Sequence, residues 1–582
     1  MKGWKAFVLA AGLIAIGTMP GRVLAQDAQD TGADYGSTVT DFRIGDSRVL
    51  VYYPSPNAAD VSGVHTSCTA PVFIVYPDSA LTDDGVIAFA EESGLAEIAS
   101  QNGSSVCFVE PANGEIWTEE DNATYQALVQ SVSDSSQVNA INGVGYEVDF
   151  VSGAAGSNKV LLGTSQRVYV YADGAGADFV ADTLLRPMKV MSPWGFETDA
   201  TIAGCVLKNV SDVSGVEDND IPVVYIGEDE EIINTLNEKC GEVLVDTAAD
   251  FVSQYETLIG RHRREDSILL DVNNYEEEGI IEKIRTFSLP TTDAAAESDA
   301  QGEKELTCFL YYGADLDIEN GNVPLVLGFH GHGNTAMYLA QSSDWPEIGL
   351  ENGFMTVLVD DHEKYSASDI VALLDILEEE YSIDESRVYA TGFSIGSVKT
   401  FDLMEQYPER FAAFAPMNGY FATQTEIPEG VIVPTFYVGA QNSPLTELPS
   451  QSEVILERLK TVSRANDTTK QLDVSMDDME NWENQFWGEN GELAYQVNDE
   501  KEFINSILTV NLFRSNDGHY YTAYCDSSNQ GHQMFSRNCY AAWDFMSQFS
   551  RAEDGSVVIE ETAYSLPSAD GSVVDNSYNM AE

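Results

Sequence analysis

The chain has 582 residues, too many for one ordinary hydrophobic core, and with 43% hydrophobic and 10% aromatic residues it is globular in composition. Its 95 acidic against 29 basic residues give a net charge of −66. That charge repels polyanions, so nucleic acid and anionic lipid are excluded as partners, and solubility in salty extracellular fluid accounts for the acidity without any bearing on a reaction.

Residues 1–25 read as an export signal. Lys2 and Lys5 precede an apolar run from Ala6 to Ile16, and Val23-Leu24-Ala25 offers small residues for cleavage before Gln26. The run is shorter than the roughly 20 apolar residues that cross a bilayer, so a secreted protein without a membrane anchor is expected. Residues 26–38 are polar and read as a flexible start.

From 39 to 287, short unbroken apolar runs alternate with helix-length amphipathic segments. Strands buried on both faces need such runs, and the alternation predicts a mainly parallel α/β sheet flanked by helices. The same grammar returns in the second half, in the same order. Arg48–Tyr53 is matched by Thr307–Tyr312, Pro71–Tyr76 by Pro324–Phe329, Gln166–Ala172 by Ser386–Gly392, and Ile221–Gly227 by Val433–Gly439. Matched runs in one order indicate a tandem duplication. Between the halves, 288–303 is rich in Ala, Asp, Ser, Thr and Glu without apolar periodicity, the composition of a linker. The second unit is expected to span 304–551, followed by a flexible acidic tail at 552–582.

Seven cysteines in an exported chain allow three disulfides and one odd thiol. Order along the chain suggests Cys68–Cys107, Cys205–Cys240 and Cys525–Cys539. Cys308, inside a strand-like run, is left as a small buried side chain. No Cys/His spacing resembles a metal site, and no cofactor is called for.

The second half carries the chemistry. Phe329 ends a predicted strand, and His330-Gly331-His332-Gly333-Asn334 follows, a turn whose small residues let main-chain amides face inward. In this reading His330 supports the loop and His332 lines the pocket rim. Further on, a predicted helix places Ile370, Leu373, Leu374 and Leu377 on one face. A strand then runs into Gly392-Phe393-Ser394-Ile395-Gly396. A serine on so sharp a strand-to-helix turn needs tiny neighbours at both ±2 positions, and the Ile395 amide joins the oxyanion site.

A general base should come from a late histidine. His532, in a loop-like stretch between Cys525 and Cys539, is favoured over His519, which follows a strand and a turn. The acid is expected after the 435–438 strand, where Gln441-Asn442 stands in the usual Asp position. Glu447 is the nearest carboxylate, with Asn442 as an uncharged alternative.

Residues 305–550 resemble the secreted polyhydroxybutyrate depolymerase and feruloyl esterase group of α/β-hydrolases. The resemblance is carried by His330-Gly331-His332-Gly333, by the run Tyr381–Gly396, and by Gly531-His532 ahead of Trp543. It implies Ser394 as nucleophile and His532 as base, in the chain order serine, acid, histidine; Asn442 departs from the Asp usual in the group.

The same template laid on the first half puts Gly174 where Ser394 stands and Tyr76-Pro77-Asp78 where the His-Gly turn stands. The only late histidine is His262, in the basic run Arg261-His262-Arg263-Arg264. Two tandem α/β-hydrolase-like domains are therefore expected, the first without a nucleophile. The expected activity is cleavage of carboxylic esters through an acyl-enzyme, the substrate being an ester on a polysaccharide, a polyester or a small soluble ester. A serine peptidase of the same fold and a non-catalytic extracellular binding protein are the alternatives. Oligomeric state is not legible.

Overall fold

The computed structural model describes residues 37–54 (except 45–46), 70–133 (except 103, 115 and 119–120), 139–140, 146–147, 158–159, 166–289 (except 192–196, 249 and 266–267), 304–419 (except 333), 426–440, 449–469, 492–498, 507–559 (except 529, 531 and 533), 565–567 and 573–575. Two large sheets form their framework. The first holds β1 (Thr38–Ile44), β2 (Ser47–Tyr53), β3 (Val72–Tyr76), β4 (Val106–Val109), β5 (Asn139–Ala140), β6 (Val168–Asp173), β7 (Gly204–Lys208), β8 (Val223–Ile226) and β9 (Val243–Asp246). Their order across the sheet is β9-β8-β7-β6-β3-β4-β2-β1-β5. The run from β9 to β4 is parallel, and the strands beyond it are antiparallel.

The second sheet holds β10 (Ile280–Leu289), β11 (Lys304–Gly313), β12 (Val323–Phe329), β13 (Met355–Val359), β14 (Ile383–Phe393), β15 (Ala413–Met417), β16 (Thr435–Ala440), β17 (Glu492–Asn498), β18 (Ile507–Arg514) and β19 (Tyr520–Ser527). Their order is β10-β11-β13-β12-β14-β15-β16-β19-β18-β17, parallel from β13 to β19. Leaving aside the two-residue β5 and the added β17–β18 edge, both sheets follow one pattern. Numbered within each sheet, the strands run 1-2-4-3-5-6-7-8. The run pairs read from the sequence are the second, third, fifth and seventh strands, in chain order, of their respective sheets.

Burial explains the continuous apolar runs. In β3, Val72, Ile74 and Tyr76 face one core while Phe73 and Val75 face the other, so every side chain is covered. β12 behaves the same way, with Leu325, Leu327 and Phe329 on one side and Val326 on the other. The helix Ala367–Glu380 buries Ile370, Leu373, Leu374 and Leu377 against the second sheet. Its start is fixed by a reciprocal cap in which the Ser366 hydroxyl accepts from the Asp369 amide and the Asp369 carboxylate accepts from the Ser366 amide.

The structure moves two of the boundaries read from the sequence. Ile280–Leu289 is the edge strand of the second sheet and pairs antiparallel with Lys304–Gly313 along its whole length. Ser288 and Leu289 thus belong to a strand, and 290–303 lies outside the described residues, as do 1–36. At the other end, Phe549–Arg551 pairs with Val557–Ile559. Arg551 is buried there and donates to the carbonyls of Phe411, Pro408 and Ile432, so the ordered unit runs past 551.

The disulfide pairing is corrected. Cys107, Cys205, Cys240, Cys308, Cys525 and Cys539 are all buried thiols outside any disulfide; Cys68 lies outside the described residues. Cys107, Cys205 and Cys525 sit within core strands, and Cys240 and Cys539 pack in the same apolar clusters. There a thiol serves as a small apolar group, and burial raises the thiol pKa of Cys107, Cys205, Cys240 and Cys525. Among the described residues no helix is long and apolar enough to cross a membrane.

Candidate active site

The carboxyl ends of the parallel strands β12, β13, β14, β15, β16 and β19 lie along one edge of the second sheet, and Ser394, His532 and the His330-Gly331 turn stand there. Ser394 stands between β14 and the helix α1 (Ile395–Gln406), with φ 56° and ψ −116°. That region is costly for a residue with a side chain and persists only where the surroundings enforce it. Here the Ser394 amide donates to the Met417 carbonyl at 2.9 Å, and the Ser394 carbonyl accepts from the Ser397 amide at 3.0 Å. The flanking glycines have no room for anything larger. A Cβ on Gly396 would sit 2.0 Å from the Phe329 carbonyl oxygen, and one on Gly392 would sit 2.2 Å from that of Gly396.

The Ser394 Oγ lies 2.8 Å from His532 Nε2 across 138 residues of chain. With Nε2 unprotonated, the hydroxyl donates to it. The His532 ring lies 4.9 Å from the ring of Phe393, tilted by 35°. Burial pushes the imidazole down to about 4, which keeps it neutral over the physiological range. Its loop is tied at both ends: Asn538 donates to Gln530 Oε1 at 2.9 Å, and Arg537 donates to Ser527 Oγ at 2.6 Å. His519 is elsewhere. It precedes Tyr520, the first residue of β19, so it sits at the amino end of a strand whose carboxyl end leads to His532.

The His-Gly turn follows β12 directly. The His330 Nδ1–H donates to the Gly331 carbonyl at 2.8 Å, and the His330 carbonyl accepts from His362 Nε2–H at 2.7 Å. A Cβ on Gly331 would lie 2.9 Å from the Phe393 ring. His332 is exposed, and both oxygens of Glu363 lie 3.0 Å from its Nδ1; that hydrogen bond raises the imidazole pKa. Gly333, Asn442 and Glu447 lie outside the described residues, so the two candidates for the acid have no position in the site as described.

Sequence reading missed the segment that backs this turn. Asp360 accepts from the amide of Ala336, which opens the helix α2 (Ala336–Ser343), at 3.0 Å. His362 is fully buried and held neutral by burial, by His330 and by Lys399, so its Nε2 carries the proton it donates. Together with Glu363, these residues hold the 330–335 turn from behind. The available signal was their position just after β13, at the functional edge of a parallel sheet.

The first half repeats the scaffold with other side chains. Gly174 has φ 54° and ψ −124°, its amide donates to the Lys208 carbonyl at 3.0 Å, and its carbonyl accepts from Ala177 at 2.9 Å. A Cβ on Gly176 would lie 2.2 Å from the Tyr76 carbonyl oxygen, as Gly396 stands to Phe329. Asn209 and Asn418, each just past the sixth strand, share φ values of 53° and 52°. The contents of the turn differ. The amide of Ala175, in the place of Ile395, donates to Asp78 Oδ1 at 2.9 Å. Asp173, in the place of Phe393, is bound by Lys208 Nζ and Asn209 Nδ2, each at 2.7 Å. Among the described residues, no group of three or more His, Cys, Asp or Glu is arranged to hold a metal ion.

Comparisons with known proteins agree with this edge of the sheet. A model of the prolyl oligopeptidase family matches residues 349–429, a stretch that contains the Ser394 turn. In sequence the chain is 32% identical over 133 residues to a bifunctional acetylxylan esterase/xylanase of Neocallimastix patriciarum, covering 21% of this chain and 19% of that protein. It is 30% identical over 117 residues to poly(3-hydroxyalkanoate) depolymerase C of Paucimonas lemoignei, covering 17% and 28%. With feruloyl esterase B of Thermothelomyces thermophilus it is 27% identical over 128 residues, covering 19% and 43%. The chain thus spans less than half the length of each of these relatives. Strand order, turn geometry and sequence likeness make the second half an α/β-hydrolase fold that resembles the esterase and depolymerase group.

Proposed function

We propose that the chain is an exported serine hydrolase that cleaves carboxylic esters by two-step acyl transfer. The observation that carries this is the 2.8 Å approach of Ser394 Oγ to His532 Nε2 at a strained, glycine-flanked turn. In the first step Ser394 attacks the ester carbonyl as His532 takes its proton. The developing oxyanion is met by the Ile395 amide and the 330–333 turn, and the alcohol leaves with the proton from His532. Water repeats the sequence on the acyl-enzyme and releases the acid. Glu447, or Asn442 without charge, orients the imidazole. Residues 39–279 form a hydrolase-like unit that has no nucleophile and does no acyl transfer.

The names of the relatives suggest the substrate class: an acetyl or hydroxycinnamoyl ester on a polysaccharide, or a polyester. The prolyl oligopeptidase match favours one other reading, a serine peptidase, because ester and peptide hydrolases share this turn. A fluorophosphonate probe tests the common chemistry. The intact chain should be labelled stoichiometrically and Ser394→Ala not at all, while unlabelled wild type would overturn the hydrolase reading. Acetyl, feruloyl and hydroxyalkanoate esters assayed beside peptides then separate the two classes.

A further inference from the structure

The basic run 261–264 has no part in the reaction above, yet it stands where the two halves meet. His262–Glu265 pairs antiparallel with Ile268–Asp271 in a small hairpin. Neighbouring side chains on a strand point to opposite faces, and here the two faces serve different halves. Arg264 roots the hairpin in the first half. Its guanidinium forks onto Asp220 at 2.9 and 2.5 Å, its Nε donates to the Ile202 carbonyl at 3.1 Å, and its amide donates to the Gln166 carbonyl at 2.7 Å. Arg263, also buried, reaches the other way and donates to the Gln341 carbonyl. Leu270, opposite Arg263 in the hairpin, packs on the buried Phe535.

These two contacts fall on elements next to the candidate catalytic groups. Gln341 belongs to α2, the helix that opens directly after the 330–335 turn, and Gln166 of the first half donates to Tyr338 of the same helix at 3.0 Å. Phe535 caps the helix α3 (Ser536–Met546) three residues after His532, with the Arg537 guanidinium 5.4 Å from its ring. One hairpin of the first half therefore touches both the element that follows the oxyanion turn and the loop that carries the imidazole.

We infer that the first half is a positioning domain for the second. The 262–271 hairpin acts as a strut, and Arg263 and Leu270 are positioning residues that hold the oxyanion turn and the His532 loop in register with Ser394. This rests on the serine-hydrolase reading above. The physical ground is that misplacing reacting groups by an ångström costs on the order of a hundredfold in rate.

The test uses full-length Leu270→Asp, Leu270→Ala and Arg263→Met on p-nitrophenyl acetate, with active sites counted by fluorophosphonate titration. The strut predicts a loss of about ten- to a hundredfold in kcat per titrated site. KM should move much less, and Leu270→Met should restore the rate. The acid limb of kcat/KM should also rise in Leu270→Asp, because loosening the loop admits water to His532 and lifts its pKa. Because Leu270→Asp risks misfolding, Leu270→Ala and the per-site count separate lost protein from lost rate. An unchanged kcat per titrated site in Leu270→Ala and Arg263→Met overturns the strut while the hydrolase reading stands. A wild type that neither labels nor turns over ester overturns both.

Discussion

At residue 174 the first half turns from strand to helix with φ 54° and ψ −124°, and at residue 394 the second half does so with φ 56° and ψ −116°. The hydrogen bonds that pin the two turns correspond, and so do the carbonyls that forbid a side chain two residues later. What separates them is side-chain content. Ala175 N–H, in the place of Ile395, is already taken by Asp78. Where Phe393 backs the imidazole, Asp173 is bound to Lys208 and Asn209. A glycine adopts this backbone at little cost, whereas a serine needs the surrounding framework to hold it there. The shape is thus a property of the sheet and helix packing, and the chemistry depends on what fills it.

The largest effect expected from breaking this comparison is on rate. Ser394→Ala should lower kcat by at least about a thousandfold, measured on whichever ester the chain cleaves best. The converse exchange, Gly174→Ser, should gain no phosphonate labelling. Its Cβ would meet Asp78 Oδ1 at 2.1 Å, so the carboxylate occupies the space the hydroxyl needs. Labelling at 174 would show that the two turns differ by the nucleophile alone.

Stability sharpens the likeness. Gly396→Ala and Gly176→Ala each force a methyl group onto a carbonyl, and each should lower unfolding stability by about 1–3 kcal/mol or more, read by denaturant titration. If only one variant is destabilised, the packing of the two turns is less alike than their dihedrals.

The smallest and most specific effect concerns pH. An imidazole held down to about 4 is neutral, and therefore a base, at every pH above that value. The acid limb of kcat/KM should fall well below the ordinary histidine value of about 6.5. A limb at or above that value would mean that a charged partner stabilises the imidazolium in the folded site.

Much of the fold was legible because parallel strands buried on both faces leave continuous apolar runs, as at Phe73–Tyr76 and Leu325–Phe329. The turn at 394 was legible because its glycines are sterically obligatory. Ile280–Leu289 was not, since this edge strand mixes covered and open positions without a continuous apolar run and reads like the approach to a linker. The thiols misled because their order along the chain carries no information on where their sulfurs point. Asp360, His362 and Glu363 act on a turn about 30 residues earlier, a relation only the crossing of β12 and β13 creates. The acid positions, 442 and 447, lie outside the described residues.

The pairing of Ile280–Leu289 with Lys304–Gly313 has a practical corollary for anyone wishing to part the halves. A cut at 303, where the composition invites one, strips the outermost strand and bares the backbone of β11 with Phe309 and Tyr311 beside it, an edge primed to recruit another chain. Division ahead of the short helix Tyr275–Glu278 leaves that border closed. A truncated hydrolase that precipitates after the first cut and stays in solution after the second would trace the natural seam of the protein.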